Sequence, residues 1–437
     1  MKKLTPQETR ETFLNFMEKK GHLKIKGSSI IPQNDPSLLF INAGMAPMKA
    51  YFSGKQTPPQ SDLCNIQPCI RTIDIEDVGD RHHLTFFEMM GSWSINNYFK
   101  DKAIDLAYEL LTENFEFPKD KLYVTVYGGD KEKGIPADED SIKFWQSTGM
   151  PDSHIVVLGE DNFWSAGDTG PCGPCTEIFF DTGDKHGKSY EKTGDFDTQN
   201  RYIEIWNAGV FMQYNRKEDG SLEKLPFMSV DTGSGLERMV MTLNGKESVY
   251  DTQSFEPYMN FITDKMSLKS EADMASARRI ADHIRAATLI LSEGVTPGKD
   301  GRDYIPRRLI RRSASIALLK NTPNFSFDTL TKIVINNMGD AYPQMKANEA
   351  QIRQTMAQEL ISFQRSVKQG VKQFDKLTQK SDTLSGKQIF DLRSSLGMPL
   401  DLISELAKER NIKIDMEGYK TEFAKHQMIS KNIGYTK

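Results

Sequence analysis

Apolar residues recur at helical spacing near the start of the chain. Within 8–20 (ETRETFLNFMEKK), Phe13, Phe16 and Met17 share one face, and Gly21 is placed to end the helix. The stretch IIPQNDPSLLFINAGM reads as a turn rich in Asn, Asp and Pro, followed by a short apolar strand, Leu38–Asn42. Between 67 and 99, two strands are expected around the charged loop DIEDVGDRHH, the first near Gln67–Thr72 and the second from about Thr85. Residues 100–115 (KDKAIDLAYELLTENF) form an amphipathic helical pattern. LYVTVY, HIVVLG, TEIFFDTG and RYIEIWN are further strand candidates. Strands set among helices without regular alternation predict an α+β fold with a mixed or antiparallel sheet.

After about residue 245 the pattern becomes helical almost throughout, over 254–266, 272–292, 305–320, 326–338, 346–379 and 399–410. The joint is expected near Gly245, which divides the chain into 1–247 and 248–437.

Composition narrows the class. A chain of 437 residues exceeds what one core usually serves, and 38% hydrophobic with 27% charged residues is globular rather than disordered. No apolar run reaches the ~18 residues of a membrane span, so no membrane partner is expected. MKKLTPQETRETF lacks the apolar segment of a secretory signal, and a cytoplasmic location is expected. The net charge is -4, so any nucleic-acid surface must be local. Cys172-Gly-Pro-Cys175 has finger-like spacing, and with Cys64 and Cys69 four thiolates could hold a structural zinc.

Two segments carry candidate chemistry. Arg71, at the end of a strand, can grip a phosphate or carboxylate bidentately, and beyond the loop lie His83 and Phe87, whose ring can stack on a base. In Ser229-Val-Asp-Thr-Gly-Ser-Gly-Leu-Glu-Arg238, two glycines let a backbone approach a ligand where a strand turns into a helix, and Arg238 can lie flat on an adenine. Taken singly, these read more simply as a surface arginine, core phenylalanines and a capped turn.

Together, Arg71…His83-x-x-x-Phe87 and Gly233-x-Gly235-x-Glu237-Arg238 resemble motifs 2 and 3 of class II aminoacyl-tRNA synthetases. Asn34-Asp-Pro-Ser-Leu-Leu-Phe-Ile-Asn-Ala-Gly-Met45, Thr85-Phe-Phe-Glu-Met-Met-Gly91, Asp161-Asn-Phe-Trp164, Gly167-Asp-Thr-Gly-Pro-Cys-Gly-Pro-Cys-Thr-Glu177 and Glu204-Ile-Trp-Asn207 resemble the alanyl-tRNA synthetase family. The resemblance runs strongly to about residue 320 and weakly beyond.

It implies a class II antiparallel sheet flanked by helices, followed by an all-helical tRNA-recognition domain. It implies activation of alanine by ATP and transfer to the 3′ end of alanine tRNA. Arg71 would hold the α-phosphate and the alanine carboxylate, and His83 would lie near the outer phosphates. Phe87 and Arg238 would sandwich the adenine, with Glu88 and Glu237 as further ATP contacts. Asp231 would pair with the alanine ammonium, and Met45, Trp164, Asn207 and Gly233 would shape the pocket. Glu204 is the expected Mg²⁺ contact. The Pro-Cys-Gly-Pro-Cys run belongs to the family pattern, where no metal role is implied, so zinc is not expected.

On the RNA side, Lys299, Arg302, Arg307, Arg308, Arg311, Arg312 and Ser394 are candidate tRNA contacts, with Arg278, Arg279 and Arg285 on an earlier helix. Pro306 is expected in a first helical turn. In the family an Asn and an Asp read the guanine–uracil wobble pair of the acceptor stem. Lys299 and Ser394 stand at those places here, which implies relaxed dependence on that pair. The family's editing signature, His-x-x-x-His with a distant Cys-x-x-x-His, and its oligomerising C-terminal part do not occur within these 437 residues, and a monomer is expected. Two rival readings are an adenylate former that loads a small amino acid onto another acceptor, and a non-catalytic RNA-binding paralogue.

Overall fold

A computed structural model describes residues 1–33, 35, 38–165, 167, 169–191, 196–198, 200–266, 269–320, 322, 325–379 and 381–434, with side chains to 426. The chain divides into two compact units, one of Met1–Asp77 and Arg81–Glu256, the other of Val78–Asp80 and Pro257–Lys437.

The first unit opens with the helix Pro6–Lys19, started by a Thr5/Glu8 capping box with proline at its first position. Its sheet contains β1 (Leu23–Lys24), β2 (Asp62–Ile70), β3 (Phe86–Ile95), β4 (Leu122–Tyr127), β5 (Ile155–Leu158), β6 (Phe163–Ser165), β7 (Gly170–Asp181), β8 (Tyr202–Arg216) and β9 (Leu222–Gly235). The order is β1-β2-β3-β9-β8-β7-β4-β5, with β6 against β7. Pairing is antiparallel through the centre and parallel only at the edges, β1 with β2 and β4 with β5. One face packs on the helices Pro6–Lys19, Lys100–Glu109 and Leu236–Leu243 through Phe13, Met90, Ile104, Trp206 and Met239. The opposite face carries a smaller cluster that includes Met45, Trp93, Cys175 and Val210. The antiparallel α+β architecture implied by the sequence is the one observed.

Several local expectations change. Leu38–Asn42 is not a strand. Ile41 makes single bonds to Ile30 and Ile70, and the Asn42 carbonyl accepts from Arg71, so no ladder continues. β7 begins at Gly170, six residues before the expected TEIFFDTG, and β9 extends back to Leu222. Cys64 and Cys69 lie on β2, while Cys172 and Cys175 lie on β7. With β3, β9 and β8 between them, the two pairs are separated by roughly 19 Å at the usual strand spacing, too far to share one ion.

The second unit contains the helices Glu271–Ser292, Gly301–Leu319, Phe327–Met338 and Glu349–Thr378. It is not wholly helical, because Thr383–Leu384 pairs with Lys413–Ile414. Helices Gly386–Ser394 and Met416–Gly434, which the apolar pattern did not announce, flank Leu400–Glu409 around Ile389, Ile403 and Tyr419. Pro306 sits inside Gly301–Leu319 rather than in its first turn. No helix among the described residues is long and apolar enough to cross a membrane.

Candidate active site

Strand register gathers one group of side chains from three neighbouring strands. Trp93 on β3 lies opposite Asp231 on β9, Gly91 opposite Gly233, and Asn207 on β8 also opposite Gly233. Side chains alternate along a strand, so Phe87, Met89, Gly91 and Trp93 share the face that meets Asp231. The Trp93 indole N–H donates to Asp231 Oδ1 at 2.7 Å. Burial pushes the Asp231 carboxyl up to about 7, and the indole bond opposes that rise.

Glycines leave room for these rings. A Cβ on Gly91 would stand 2.4 Å from the Trp93 ring, and one on Gly44 2.9 Å from it. A Cβ on Gly233 would meet Met89 Sδ at 3.2 Å. Met45 is buried in the cluster with Trp93 and Val210, and Trp164 packs against that cluster. Asn207 Nδ2 donates to Glu177 Oε1 at 3.3 Å.

Beside this group lies a second. Arg71 follows β2, its Nε donates to the Asn42 carbonyl at 3.2 Å, and its guanidinium lies 4.8 Å from the Phe87 ring centre. Arg238, in the first turn of Leu236–Leu243, donates to Glu204 Oε2 at 3.2 Å. A Cβ on Gly235 would lie 3.9 Å from both Phe87 and Arg238 Cβ, so these two side chains flank the same glycine. Asp74, in the loop after Arg71, feels Arg71, His83 and Arg238 together. Burial nevertheless outweighs these cations and raises its carboxyl. Four expected residues, Arg71, His83, Phe87 and Arg238, are therefore brought together.

The two glutamates expected at ATP are turned away. Glu88 neighbours Phe87 on β3, so alternation sends it to the helical face, where Arg10 pairs with its carboxylate. Glu237 is buried, and its Oε2 accepts from the Glu88 backbone N–H at 3.1 Å. Glu204, expected at magnesium, accepts from Arg238. With Asp161 it also acts on Glu177, whose carboxyl is raised first by burial and then by these two neighbours.

Sequence reading passed over Trp93, Met89, Asp74 and Glu177. The available signal was the alternation Phe87, Met89, Gly91, Trp93, but the other face of β3 is buried too, and this hides the period.

Of the candidate RNA contacts, all in the second unit, Lys299 and Ser394 are exposed and Arg302, Arg307, Arg308 and Arg312 are half-buried. Arg311 departs from the expected basic band. It is buried, paired with Glu359, and donates to Ser362 Oγ at 3.2 Å. Arg285 is buried as well, and Arg278 and Arg279 donate to the carbonyls of Gly79 and Val78. Arg311, Arg278 and Arg279 hold backbone and carboxylates of their own unit.

The family model of the tRNA synthetases class II (A) matches residues 8–436, which include this sheet, and the chain belongs to that family. The relatives within it are specific. The chain is 39% identical to the alanine–tRNA ligase of Acetivibrio thermocellus over 99% of its own length and 49% of that protein. It is 40% identical to the alanine–tRNA ligase of Borreliella afzelii over 99% of its length and 74% of that protein. The chain spans about half the length of the Acetivibrio protein and of several other alanine–tRNA ligases that it matches.

Proposed function

We propose that this chain condenses alanine with ATP to alanyl-adenylate and transfers the alanyl group to the 3′ end of alanine tRNA. The observation that carries the reading is Asp231, a carboxylate at the base of a small pocket walled by Trp93, Met89 and Gly233, beside Arg71, Phe87 and Arg238. A pocket of this kind takes a compact cation-bearing acid next to a flat, anionic nucleotide.

The chemistry needs positioning and cationic stabilisation rather than a protein nucleophile. Asp231 receives the ammonium of alanine. Arg71 reaches the amino-acid carboxylate and the α-phosphate, and it steadies the charge that develops as a carboxylate oxygen attacks phosphorus and pyrophosphate leaves. Phe87 and Arg238 hold the adenine between a ring and a guanidinium. In the second step a terminal ribose hydroxyl attacks the adenylate carbonyl, and AMP departs.

Magnesium is part of this reading. Burial raises the Glu177 carboxyl and the neighbouring Glu204 and Asp161 raise it further, negative charge that a divalent cation would relieve. Glu204 and Glu177 would hold the ion, and its chemistry there is neutralisation of phosphate charge.

Lys299 and Ser394, both exposed, would face the acceptor stem. On this reading the first unit carries the chemistry and the second the RNA contacts, in a cytoplasmic monomer. Alanine-dependent ATP–pyrophosphate exchange tests the first step, and charging of alanine tRNA tests the second. Absence of exchange with alanine, while another small amino acid supports it, would replace the substrate. Exchange without RNA charging would favour another acceptor.

A further inference from the structure

We infer that Trp93 is the positioning residue for Asp231, its indole N–H fixing that carboxylate so that one oxygen stays turned toward the amino-acid ammonium. The inference deepens the alanine-binding reading above and rests on it. Its geometry is independent of any ligand. Trp93 is fully buried, lies across the strand pair from Asp231, and donates to Oδ1 at 2.7 Å. The ring has no freedom to leave. Gly91 lies against it so closely that a Cβ there would come within 2.4 Å, and a Cβ on Gly44 would come within 2.9 Å. The Gly44 N–H is itself directed at Met89 Sδ, 3.1 Å away. Two glycines, an indole and a thioether therefore interlock, and the only polar atom of the ring is aimed at the carboxylate.

A phenyl ring could fill most of this space, but it could not donate. The indole therefore has a role beyond packing. It satisfies Oδ1 and leaves Oδ2 with its lone pairs available, and it favours the ionised carboxylate that an ammonium requires. The surroundings add little competing charge. β3 contributes the indole, β8 contributes Val210 opposite Asp231, and β2 contributes the Cys69 thiol, which burial pushes up to about 12 and keeps neutral. Arg71 and Glu237 act on Cys69 with opposite signs.

The test is Trp93→Phe, read by alanine-dependent pyrophosphate exchange from pH 6 to 9 and by the indole ¹H–¹⁵N resonances of the unliganded protein. KM for alanine should rise roughly tenfold to a hundredfold near neutrality, the loss expected for one hydrogen bond to a charged group, with KM for ATP unchanged. The deficit should shrink toward pH 9 as the carboxyl ionises unaided. In the wild-type protein the Trp93 indole resonance, assigned by its loss in Trp93→Phe, should titrate with a midpoint near 7, and this titration should vanish in Asp231→Asn. No deficit for alanine, equal losses for alanine and ATP, or a flat indole resonance would overturn the inference. If the wild-type chain shows no alanine exchange but the indole titrates, the pairing stands and the alanine reading falls.

Discussion

At the residue scale the decisive group is Asp231. Its carboxyl is raised to about 7 by burial, so the folded chain binds its proton more tightly than the unfolded chain does. Its contribution to stability is therefore greatest below the ordinary carboxylate range and is lost as pH rises toward 7. Asp231→Asn should abolish alanine-dependent exchange and yet raise stability at pH 7–8 by about 1–3 kcal/mol, with little effect near pH 4. Melting curves at the two pH values check this, and a variant less stable at pH 8 would contradict it. Arg71 is the second such residue. Arg71→Lys keeps a charge but loses the planar fork and its stacking on Phe87, so kcat should fall by roughly 10²–10³-fold with the fold intact by circular dichroism.

Elements act on the site through close packing and buried pairs. The approach of β3 to the Trp93 ring depends on Gly91 having no side chain, so Gly91→Ala should cost about 1–3 kcal/mol and weaken alanine binding as the indole is displaced. Denaturant titration and the KM for alanine report the two effects separately. The connection between β7 and β8 is fastened by Arg201, which pairs bidentately with Asp181 at 2.7 and 2.8 Å and reaches Asp184 and the Gly187 carbonyl. Burial opposes ionisation of Asp181, but the Arg201 pair outweighs it and holds the carboxyl low. The stabilisation is thus present above the ordinary carboxylate range and lost as pH falls through the lower folded value. Arg201→Met should destabilise the first unit by about 2–4 kcal/mol at pH 7, and by less at pH 3.

For the whole molecule, the prediction concerns RNA selection. On the resemblance set out above, Lys299 and Ser394 would stand where the family pattern has Asn and Asp, one a cation suited to phosphate and the other a short hydroxyl. Charging should therefore depend weakly on the wobble pair. A guanine–cytosine acceptor stem should be charged within about tenfold of the natural one, since one mismatched contact is worth only ~1–3 kcal/mol when polar readers are in place and less when they are not. A loss of several hundredfold would refute this.

The hydrophobic pattern and a few long motifs determined much by themselves. Helix Pro6–Lys19, strand β4 and the passage from a sheet-bearing to a mostly helical part were legible in the pattern, though the boundary falls after Glu256 rather than at 247, while Arg71, Phe87, Asp231 and Arg238 were marked out by motifs that resemble the family. The elements rest on periodicity along the chain, which survives without a third dimension, and the site residues on the family resemblance. The tertiary structure decided what depends on strand pairing and on facing. Register set Trp93 against Asp231, alternation turned Glu88 to the helices, and packing enclosed Arg311 with Glu359. A linear sequence presents Glu88 beside Phe87 and Arg311 beside Arg312 as equals. Only the sheet and the helix bundle assign each side chain a face, because burial and partners belong to neighbours far away in the chain.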